Sequence, residues 1–174
     1  NLKPLIAGNI GTVACGVAAE ATKDNIIVTE LSSFQLMGTR TFRPRIAILT
    51  NLYEAHLDYH GTFEEYAEAK FGVTRNQTAE DYFIYNADQQ IVADYAKQSR
   101  AQLVPFTTKG RSEQGISADA QSIYWQGEAI LNRADIVLPG NHNLENILCA
   151  VAAAKLSNCP QEAIAQVLAT FGGV

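Results

Sequence analysis

The chain lacks an apolar run long enough to span a bilayer, and it has no block of basic residues. Its net charge is −5 at pH 7, whereas nucleic-acid binding needs a clustered positive surface that neutralises phosphates. Apolar residues make up 47% of the chain and charged residues 18%, which is an ordinary globular composition. These values predict a globular protein whose partners include neither nucleic acid nor a membrane.

Cysteine is also scarce. The three cysteines, Cys15, Cys149 and Cys159, are odd in number and show no CxxC spacing. Cys15 and Cys149 lie among small apolar residues. Buried free thiols of a protein in a reducing cytoplasm are therefore expected, rather than disulfides or a thiolate metal site.

Short apolar segments alternate with segments of helical spacing up to Thr107. Continuous apolar runs are typical of strands buried on both faces of a parallel sheet, and their alternation with helices indicates an α/β fold with right-handed crossovers. The predicted strands cover residues 4–8, 25–30, 45–50, 81–86 and 102–106. The predicted helices cover 11–20, 63–78 and 88–99, the last with Asp88 as its N-cap, and residues 34–39 form either a short helix or a turn.

The pattern changes after Thr107. A hairpin over 117–131, turning at Gln126-Gly127, and a strand over 134–138 predict a small antiparallel sheet at one edge of the parallel one, over about residues 115–138. Pro139-Gly140 then breaks the chain before a helix over 144–156, which Asn141 or Asn143 would cap, and a last helix covers 161–171. The expected fold class is α/β, with a mostly parallel sheet flanked by helices.

Ionisable residues follow two of the predicted strands. Glu30 closes an otherwise apolar strand, and His56 lies in the loop after the next one. Because the carboxyl ends of neighbouring parallel strands meet at one crevice, an acid and an imidazole are expected to face one site. Glu30 is either an edge residue facing water or a pocket group suited to Mg²⁺, and its position favours the pocket. His56 is either a surface residue or a site residue, and Asp58 either orients it or caps the next helix.

Lys70 lies on the apolar side of a predicted helix, between Tyr66 and Phe71. Such a lysine either packs its stem on the core with its amine in water, or has a partly desolvated amine with a lowered pKa. Two polar segments also precede helices. Gly8-Asn-Ile-Gly11 is a turn whose N–H groups suit an anion, and Asn143 and Asn146 share one face of a helix start, where amides suit a nucleotide base or a cap.

Five segments, in this order, resemble the central ATPase domain of the Mur ligases of peptidoglycan synthesis. They are Gly8-Asn-Ile-Gly11, Glu30-Leu-Ser-Ser-Phe-Gln-Leu36, Thr50-Asn-Leu-Tyr-Glu-Ala-His-Leu-Asp58, Ala69-Lys70 and Gly140-Asn-His-Asn-Leu-Glu-Asn146. The resemblance implies an ATP-dependent ligase of the bacterial cytoplasm, acting in the cell-wall synthesis that supports cell shape and division. The form of the second segment implies that the amino acid added is D-glutamate, joined to UDP-N-acetylmuramoyl-L-alanine through an acyl phosphate.

The resemblance also assigns roles. It implies two Mg²⁺ ions, with Glu30 as a ligand near the ATP phosphates and His56 as a ligand beside the muramoyl substrate. Lys70 matches the carbamylated lysine of the family, which is a metal ligand when modified. Asn9 resembles a contact to the UDP-sugar substrate, and Asn143 with Asn146 resembles the adenine contacts. Glu30, His56 and Lys70 are then the expected catalytic group, because two magnesium ions neutralise developing negative charge.

Parts of the family pattern are not in this sequence. The phosphate loop Gly-Thr-Asn-Gly-Lys-Thr is expected before Asn1, and a His-Arg segment after Val174, yet the 174 residues contain no GxxxxGK[ST] motif. Residues 1–174 are therefore expected to form an incomplete central ATP-binding domain, whose partners are N-terminal UDP-binding and C-terminal domains absent here. By itself this chain is expected to be inactive.

Three other functions remain open on the sequence. One is a different ligase on the same domain, such as a sister muramoyl ligase or a folylpolyglutamate synthetase, which the form of residues 30–36 argues against. The second is a non-catalytic nucleotide-binding module. The third is a hydrolase that uses His56 and Glu54, which the lack of a nucleophile motif such as GxSxG disfavours.

Overall fold

The computed structural model describes residues 3–173, which divide into two compact units. The first unit consists of the residues through Thr41 together with Ala55–Gly72. The second unit consists of Phe42–Glu54 together with the residues from Val73 onward. None of the helices within residues 3–173 is long and apolar enough to cross a membrane.

The first unit contains a two-stranded parallel sheet and four helices. Strand β1 pairs with β2 in a register that ends at Gly8 opposite Glu30. The elements are β1 (Lys3–Gly8), α1 (Ala14–Glu20), β2 (Asn25–Glu30), α2 (Ser33–Met37), α3 (Leu57–His60) and α4 (Phe63–Phe71).

Capping boxes start two of these helices. The Ser32 hydroxyl accepts a hydrogen bond from the Gln35 backbone N–H, and the Ser32 backbone N–H donates to the Gln35 side-chain oxygen. Thr62 and Glu65 make the same pair of hydrogen bonds at the start of α4. Thr62 is thus the cap of α4, and the interpretation of Asp58 as that cap is wrong. Helix α4 also ends at Phe71 rather than residue 78, because Gly72, a poor helix former, begins a 3₁₀ turn over Gly72–Thr74.

The second unit is built on a six-stranded sheet in the order β3-β4-β5-β6-β7-β8. The pairings from β3 to β6 are parallel, and the pairings of β6 with β7 and of β7 with β8 are antiparallel, which confirms a mostly parallel sheet with an antiparallel part at one edge. The strands are β3 (Ile46–Leu49), β4 (Tyr82–Asn86), β5 (Gln102–Thr107), β6 (Ile116–Ala118), β7 (Ser122–Trp125) and β8 (Glu128–Asn132), and the helices are α5 (Gln90–Ala96), α6 (Asn141–Leu156) and α7 (Gln161–Leu168).

Helix α6 packs on the middle of this sheet. Its Leu148 and Val151 are buried together with Ile84 of β4, Phe106 of β5 and Ile116 of β6. Burying such a side chain contributes about 1.5–3 kcal/mol, so this contact accounts for much of the hydrophobic stabilisation of the unit. The sheet and α6 therefore set the position of the segment at the start of α6, where the adenine contacts are predicted.

A predicted strand and a predicted helix cap are absent from this unit. Residues 134–138 do not form a strand, because the Asn132 side chain accepts the Ala134 N–H and starts a 3₁₀ turn over Arg133–Asp135. Asp88 does not cap α5, since its carboxylate accepts hydrogen bonds from Thr107 and Thr108 and Gln89 takes the N-cap position.

The cap predicted for α6 is also absent. The N-cap position of α6 belongs to Gly140, whose backbone has φ of 101°, and not to Asn141 or Asn143. The amide of Asn143 instead donates a hydrogen bond to the Pro139 carbonyl. The turn predicted at Gln126-Gly127 is confirmed, since both residues have positive φ between β7 and β8, as a two-residue hairpin requires.

The prediction that β2 is buried on both faces within one continuous sheet is wrong. Within residues 3–173, β2 pairs with β1 alone, and β3 belongs to the other sheet. Ile6 and Val28 are register partners and remain 58% and 56% exposed. Cys15 is likewise exposed rather than buried, whereas Cys149 is buried and all three thiols are free.

Candidate active site

The turn after β1 is attached directly to the end of β2. The Asn9 backbone N–H donates to the Glu30 carbonyl at 2.8 Å, and the Asn9 side-chain Nδ2 donates to Glu30 Oε1 at 2.9 Å. Gly8 permits this approach, because it has φ of 103° and any Cβ there would lie 2.0 Å from the Glu30 carbonyl oxygen. Two predicted site residues, Asn9 and Glu30, are therefore in contact at the carboxyl ends of β1 and β2.

Lys70 lies in the last turn of α4 and is half-buried. Its Nζ is 5.9 Å from the centre of the Tyr66 ring. Burial lowers the pKa of the Lys70 amine, and the negative charge of Glu30 acts in the opposite direction. The amine is thus within electrostatic reach of Glu30, and it is uncharged in a larger fraction of molecules than an exposed lysine.

His56 occupies the N-cap position of α3 with a left-handed backbone, at φ of 56° and ψ of 34°. Its ring meets the Phe34 ring edge-on, with 5.1 Å between centroids. Phe34 belongs to α2, which follows Glu30 closely in the chain. His56 is therefore linked to the Glu30 segment through α2, and not through a strand adjacent to β2 as predicted.

Ser33 and His60 form a buried polar pair in the same unit. Ser33 Oγ and His60 Nε2 are 3.0 Å apart, and both residues are buried. The sequence alone does not single out His60. Its spacing of four residues from His56 was the available signal, since residues so spaced share a helix face, but the one-turn helix α3 was not predicted.

A second polar cluster lies in the second unit, at the start of α6. Asn143 is half-buried and Asn146 is exposed, one helical turn apart. Burial raises the pKa of the Glu145 carboxyl, nearby Asp88 raises it further, and His142 lowers it. The candidate residues are therefore divided, with Asn9, Glu30, His56 and Lys70 in the first unit and the two asparagines in the second.

The donor set of the first unit suits magnesium. Within residues 3–173 there is no group of three or more His, Cys, Asp and Glu side chains that could hold a metal ion. Glu30 offers one carboxylate, and a carbamate on Lys70 would offer a second anionic group. Mg²⁺ is commonly held by one or two carboxylates together with water and substrate phosphates, so these two residues fit it.

Comparison with known proteins identifies the relatives of this chain. The family model of the Mur ligase middle domain matches residues 10–154. Two UDP-N-acetylmuramoylalanine–D-glutamate ligases are similar to this chain over most of its length. The one from Geobacillus kaustophilus is 56% identical over 171 residues, and the one from Geobacillus sp. strain WCH70 is 55% identical over 172 residues. These alignments cover 98% and 99% of this chain but 38% of each relative, so the chain spans less than two-fifths of their length.

Two solved structures share the fold at low sequence identity. The UDP-N-acetylmuramate:L-alanyl-gamma-D-glutamyl-meso-diaminopimelate ligase from Neisseria meningitides matches with a TM-score of 0.69 and 21% identity, over 88% of this chain and 50% of that one. MurF from Acinetobacter baumannii matches with a TM-score of 0.67 and 18% identity, over 98% of this chain and 46% of that one. This likeness shows a common fold.

Proposed function

Since this chain belongs to the Mur ligase family, as a middle domain, we propose that it is the central part of an ATP-dependent ligase that adds D-glutamate to UDP-N-acetylmuramoyl-L-alanine. The observation that carries the proposal is sequence identity above one half, over nearly the whole chain, with ligases named for this reaction. The reaction would form an amide bond through an acyl phosphate, in the synthesis of peptidoglycan precursors in the bacterial cytoplasm. The partner domains would be those of the same, longer protein.

In this proposal Asn9 has two tasks. One N–H of its amide is engaged by Glu30, which leaves the second N–H and the carbonyl oxygen to contact the UDP-sugar substrate. The same hydrogen bond holds the Glu30 carboxylate in one orientation. Substrate and metal ligand are therefore connected through a single side chain.

Glu30, His56 and a carbamylated Lys70 would hold two Mg²⁺ ions, which neutralise charge on the ATP phosphates and on the acyl phosphate when bound. Glu30 projects from the end of β2, where a ligand has access, and His56 is exposed at the start of α3. Asn143 and Asn146 would contact the adenine from the start of α6. Each role is a proposal that rests on the family resemblance and on these positions.

The environment of Lys70 supports its modification. Carbon dioxide adds to a neutral amine, forming an N–C bond and releasing one proton, so the reaction requires the uncharged form of lysine. Burial lowers the pKa of Lys70 and increases that form. The product is an anion in place of a cation, which turns an unsuitable neighbour of a magnesium ion into a ligand.

The proposal is tested in the full-length protein by phosphate release with ATP, Mg²⁺, UDP-N-acetylmuramoyl-L-alanine and a panel of amino acids. We expect release with D-glutamate and not with L-alanine, L-lysine or diaminopimelate. Lys70→Arg keeps a cation that carbon dioxide does not modify, and we expect activity to fall by about 100-fold or more, the scale of losing a group that organises charge in the transition state. Release with another amino acid, or equal activity of Lys70→Arg, would contradict the proposal.

A further inference from the structure

His60 lies at the centre of the first unit's side-chain contacts around the candidate site. It is the last residue of α3 and is 6% exposed, so its imidazole is almost completely enclosed. We infer that His60 is a positioning residue, which holds the His56 ring and the Lys70 amine in place without touching substrate. The activity measurement that tests this inference rests on the proposed function. The contacts of His60 do not depend on that function.

The first contact of His60 attaches α3 to α2. Its Nε2 shares a hydrogen bond of 3.0 Å with Ser33 Oγ, and Ser33 is the first residue of α2. Ser33 follows Glu30 by three residues, so this hydrogen bond connects the end of β2 with the segment that carries His56. A buried hydroxyl without this partner would be destabilising, because it would have lost its hydration without compensation.

The second contact reaches His56. The Phe34 ring stacks on His60, with 5.3 Å between centroids and 20° between planes. The same Phe34 ring packs in a T-shaped arrangement with His56, with 5.1 Å between centroids. His56 has a left-handed backbone, which a non-glycine residue adopts only when its surroundings support it. The stack of His60 on Phe34 supplies one such support.

The third contact reaches Lys70. The ring of Tyr66 meets His60 edge-on at 5.3 Å, and Lys70 Nζ lies 5.9 Å from the centre of that same Tyr66 ring. Tyr66 is buried in α4, so its ring position depends on what packs against it. One imidazole therefore contacts the immediate supports of both His56 and Lys70, as well as the helix that follows Glu30.

Histidine is well suited to this position for a chemical reason. Its ring stacks face to face with Phe34 and packs in a T-shaped arrangement with Tyr66, and the same ring carries a nitrogen for Ser33. Phenylalanine would keep the ring contacts but leave the Ser33 hydroxyl unpaired. Glutamine would keep a hydrogen-bonding nitrogen but lose the ring. The two substitutions thus separate the two kinds of contact.

The test uses the full-length protein and the variants His60→Gln, His60→Phe and Ser33→Ala/His60→Phe. For His60→Gln we expect kcat to fall and the Mg²⁺ concentration for half-maximal rate to rise, each about 10-fold or more, as for other groups that orient metal ligands. The KM for D-glutamate should stay unchanged. In the double variant, both hydrogen-bonding partners are removed and an aromatic ring remains at position 60. Its Mg²⁺ concentration for half-maximal rate should therefore be close to that of wild type.

A second readout does not depend on activity. The imidazole carbon and proton resonances of His56, identified by their loss in His56→Gln, report the position of the Phe34 ring. We expect them to move in His60→Gln and to return toward wild type in the double variant, whereas those of His142 stay fixed. A wild-type protein without ligase activity would contradict the proposed function, and the His56 resonances would still decide the role of His60.

Gln77→Ala is the matched control. Gln77 is fully buried in the second unit, where its amide donates to the carbonyls of Pro44 and Tyr82. Its loss should lower the unfolding temperature without changing the Mg²⁺ response or the His56 resonances. The inference is overturned if His60→Gln, like Gln77→Ala, changes neither the Mg²⁺ requirement nor the His56 resonances. It is also overturned if the double variant departs from wild type in these quantities while His60→Gln does not.

Discussion

At the scale of single residues, Asn9 and Glu30 form the contact on which the candidate site depends most directly. Their hydrogen bond joins the turn after β1 to the last residue of β2, and the backbone bond beside it keeps the two segments in register. Because Glu30 is exposed, its carboxylate would rotate freely without a donor that selects one orientation. Asn9 therefore limits the directions in which Glu30 can bind a cation.

Replacing Asn9 should impair the proposed ligase through this contact. Asn9→Ala removes the donor, and we expect a loss of about 10–100-fold in kcat/KM for the UDP-sugar substrate with a raised Mg²⁺ requirement. Asn9→Asp should be worse, because a second carboxylate would face Glu30. Steady-state rates of the full-length variants, measured across Mg²⁺ concentrations, provide the comparison.

Asn25→Ala is the control for this prediction. Asn25 lies at the opposite end of β2, where its amide donates to the Lys3 carbonyl and its oxygen accepts from the Thr22 N–H. It should change stability slightly and leave the Mg²⁺ requirement unaltered. An Asn9→Ala variant with the kinetics of Asn25→Ala would show that the hydrogen bond to Glu30 has no functional role.

The sequence predicted the inward position of Lys70 from helical spacing alone, and its half-buried side chain agrees. It could not identify His60 in the same way. The role inferred for His60 depends on rings from α2 and α4, which approach it only in the folded unit. Spacing along a chain predicts which face of a helix a residue occupies, but not which remote ring packs against that face.

At the scale of secondary-structure elements, the pair of Arg43 and Asp81 attaches the start of β4 to the segment before β3. Arg43 Nε donates to Asp81 Oδ2 at 2.7 Å, and the Thr78 N–H donates to the same oxygen at 2.8 Å. The Asp81 side chain is almost completely buried, and the hydrogen bond from Arg43 is the main reason that its pKa is lowered. Asp81 thus stabilises the fold in its charged form.

Asp81→Asn should destabilise the protein by about 1–3 kcal/mol at neutral pH, since it removes the charge from a buried set of hydrogen bonds. The contribution of Asp81 is fully present above the unfolded-state pKa of about 4 and is lost as pH falls through its lower folded-state pKa. Wild type should therefore lose more stability than the variant between neutral pH and about pH 3. Urea unfolding at both pH values measures this difference.

Asp94→Asn serves as its control. Asp94 pairs with Lys97 at 2.7 Å on an exposed helix face, and the pKa of its carboxyl is also lowered, chiefly by that hydrogen bond. Solvent-exposed pairs contribute little to stability, so this variant should unfold like wild type at neutral pH. Equal destabilisation by the two substitutions would argue against a special role of the buried carboxylate.

Element boundaries show what local sequence determines. The starts of α2 and α4 follow from Ser32 and Thr62 with their partners three residues on, a pattern contained in four residues. Asp88 also has the residue type of a cap, yet its carboxylate accepts hydrogen bonds from Thr107, the last residue of β5, and from Thr108, which follows it. Tertiary hydrogen bonds displaced a local preference there, and a single sequence does not reveal them.

At the scale of the whole molecule, the candidate residues are divided between two compact units. The α/β class and the mostly parallel sheet were predictable, because apolar runs and helical spacing alternate along the chain. The division of the parallel strands between two separate sheets was not predictable from the sequence. Which strands become neighbours is decided by pairing over long sequence distances, and apolar composition is the same for either arrangement.

The 174-residue chain by itself should bind ATP weakly and show no ligase turnover. The sequence contains no glycine-rich loop ending in Lys-Ser or Lys-Thr, so the backbone cradle and lysine that commonly hold triphosphates are not encoded in it. Isothermal titration with ATP and Mg²⁺, beside the full-length protein, measures the difference. Tight binding or turnover by the shorter chain would show that these residues suffice.

The two-stranded sheet of the first unit also affects how this polypeptide would behave in a test tube. Within residues 3–173, β1 and β2 pair with no other strand. Apart from an isolated bridge between Ala7 and Thr12, their outer edges are unpaired, and Ile6 and Val28 remain exposed. Free strand edges beside exposed aliphatic side chains favour intermolecular pairing. Precipitation that grows with concentration and light scattering on warming should follow, and a charged residue in place of Val28 should delay both.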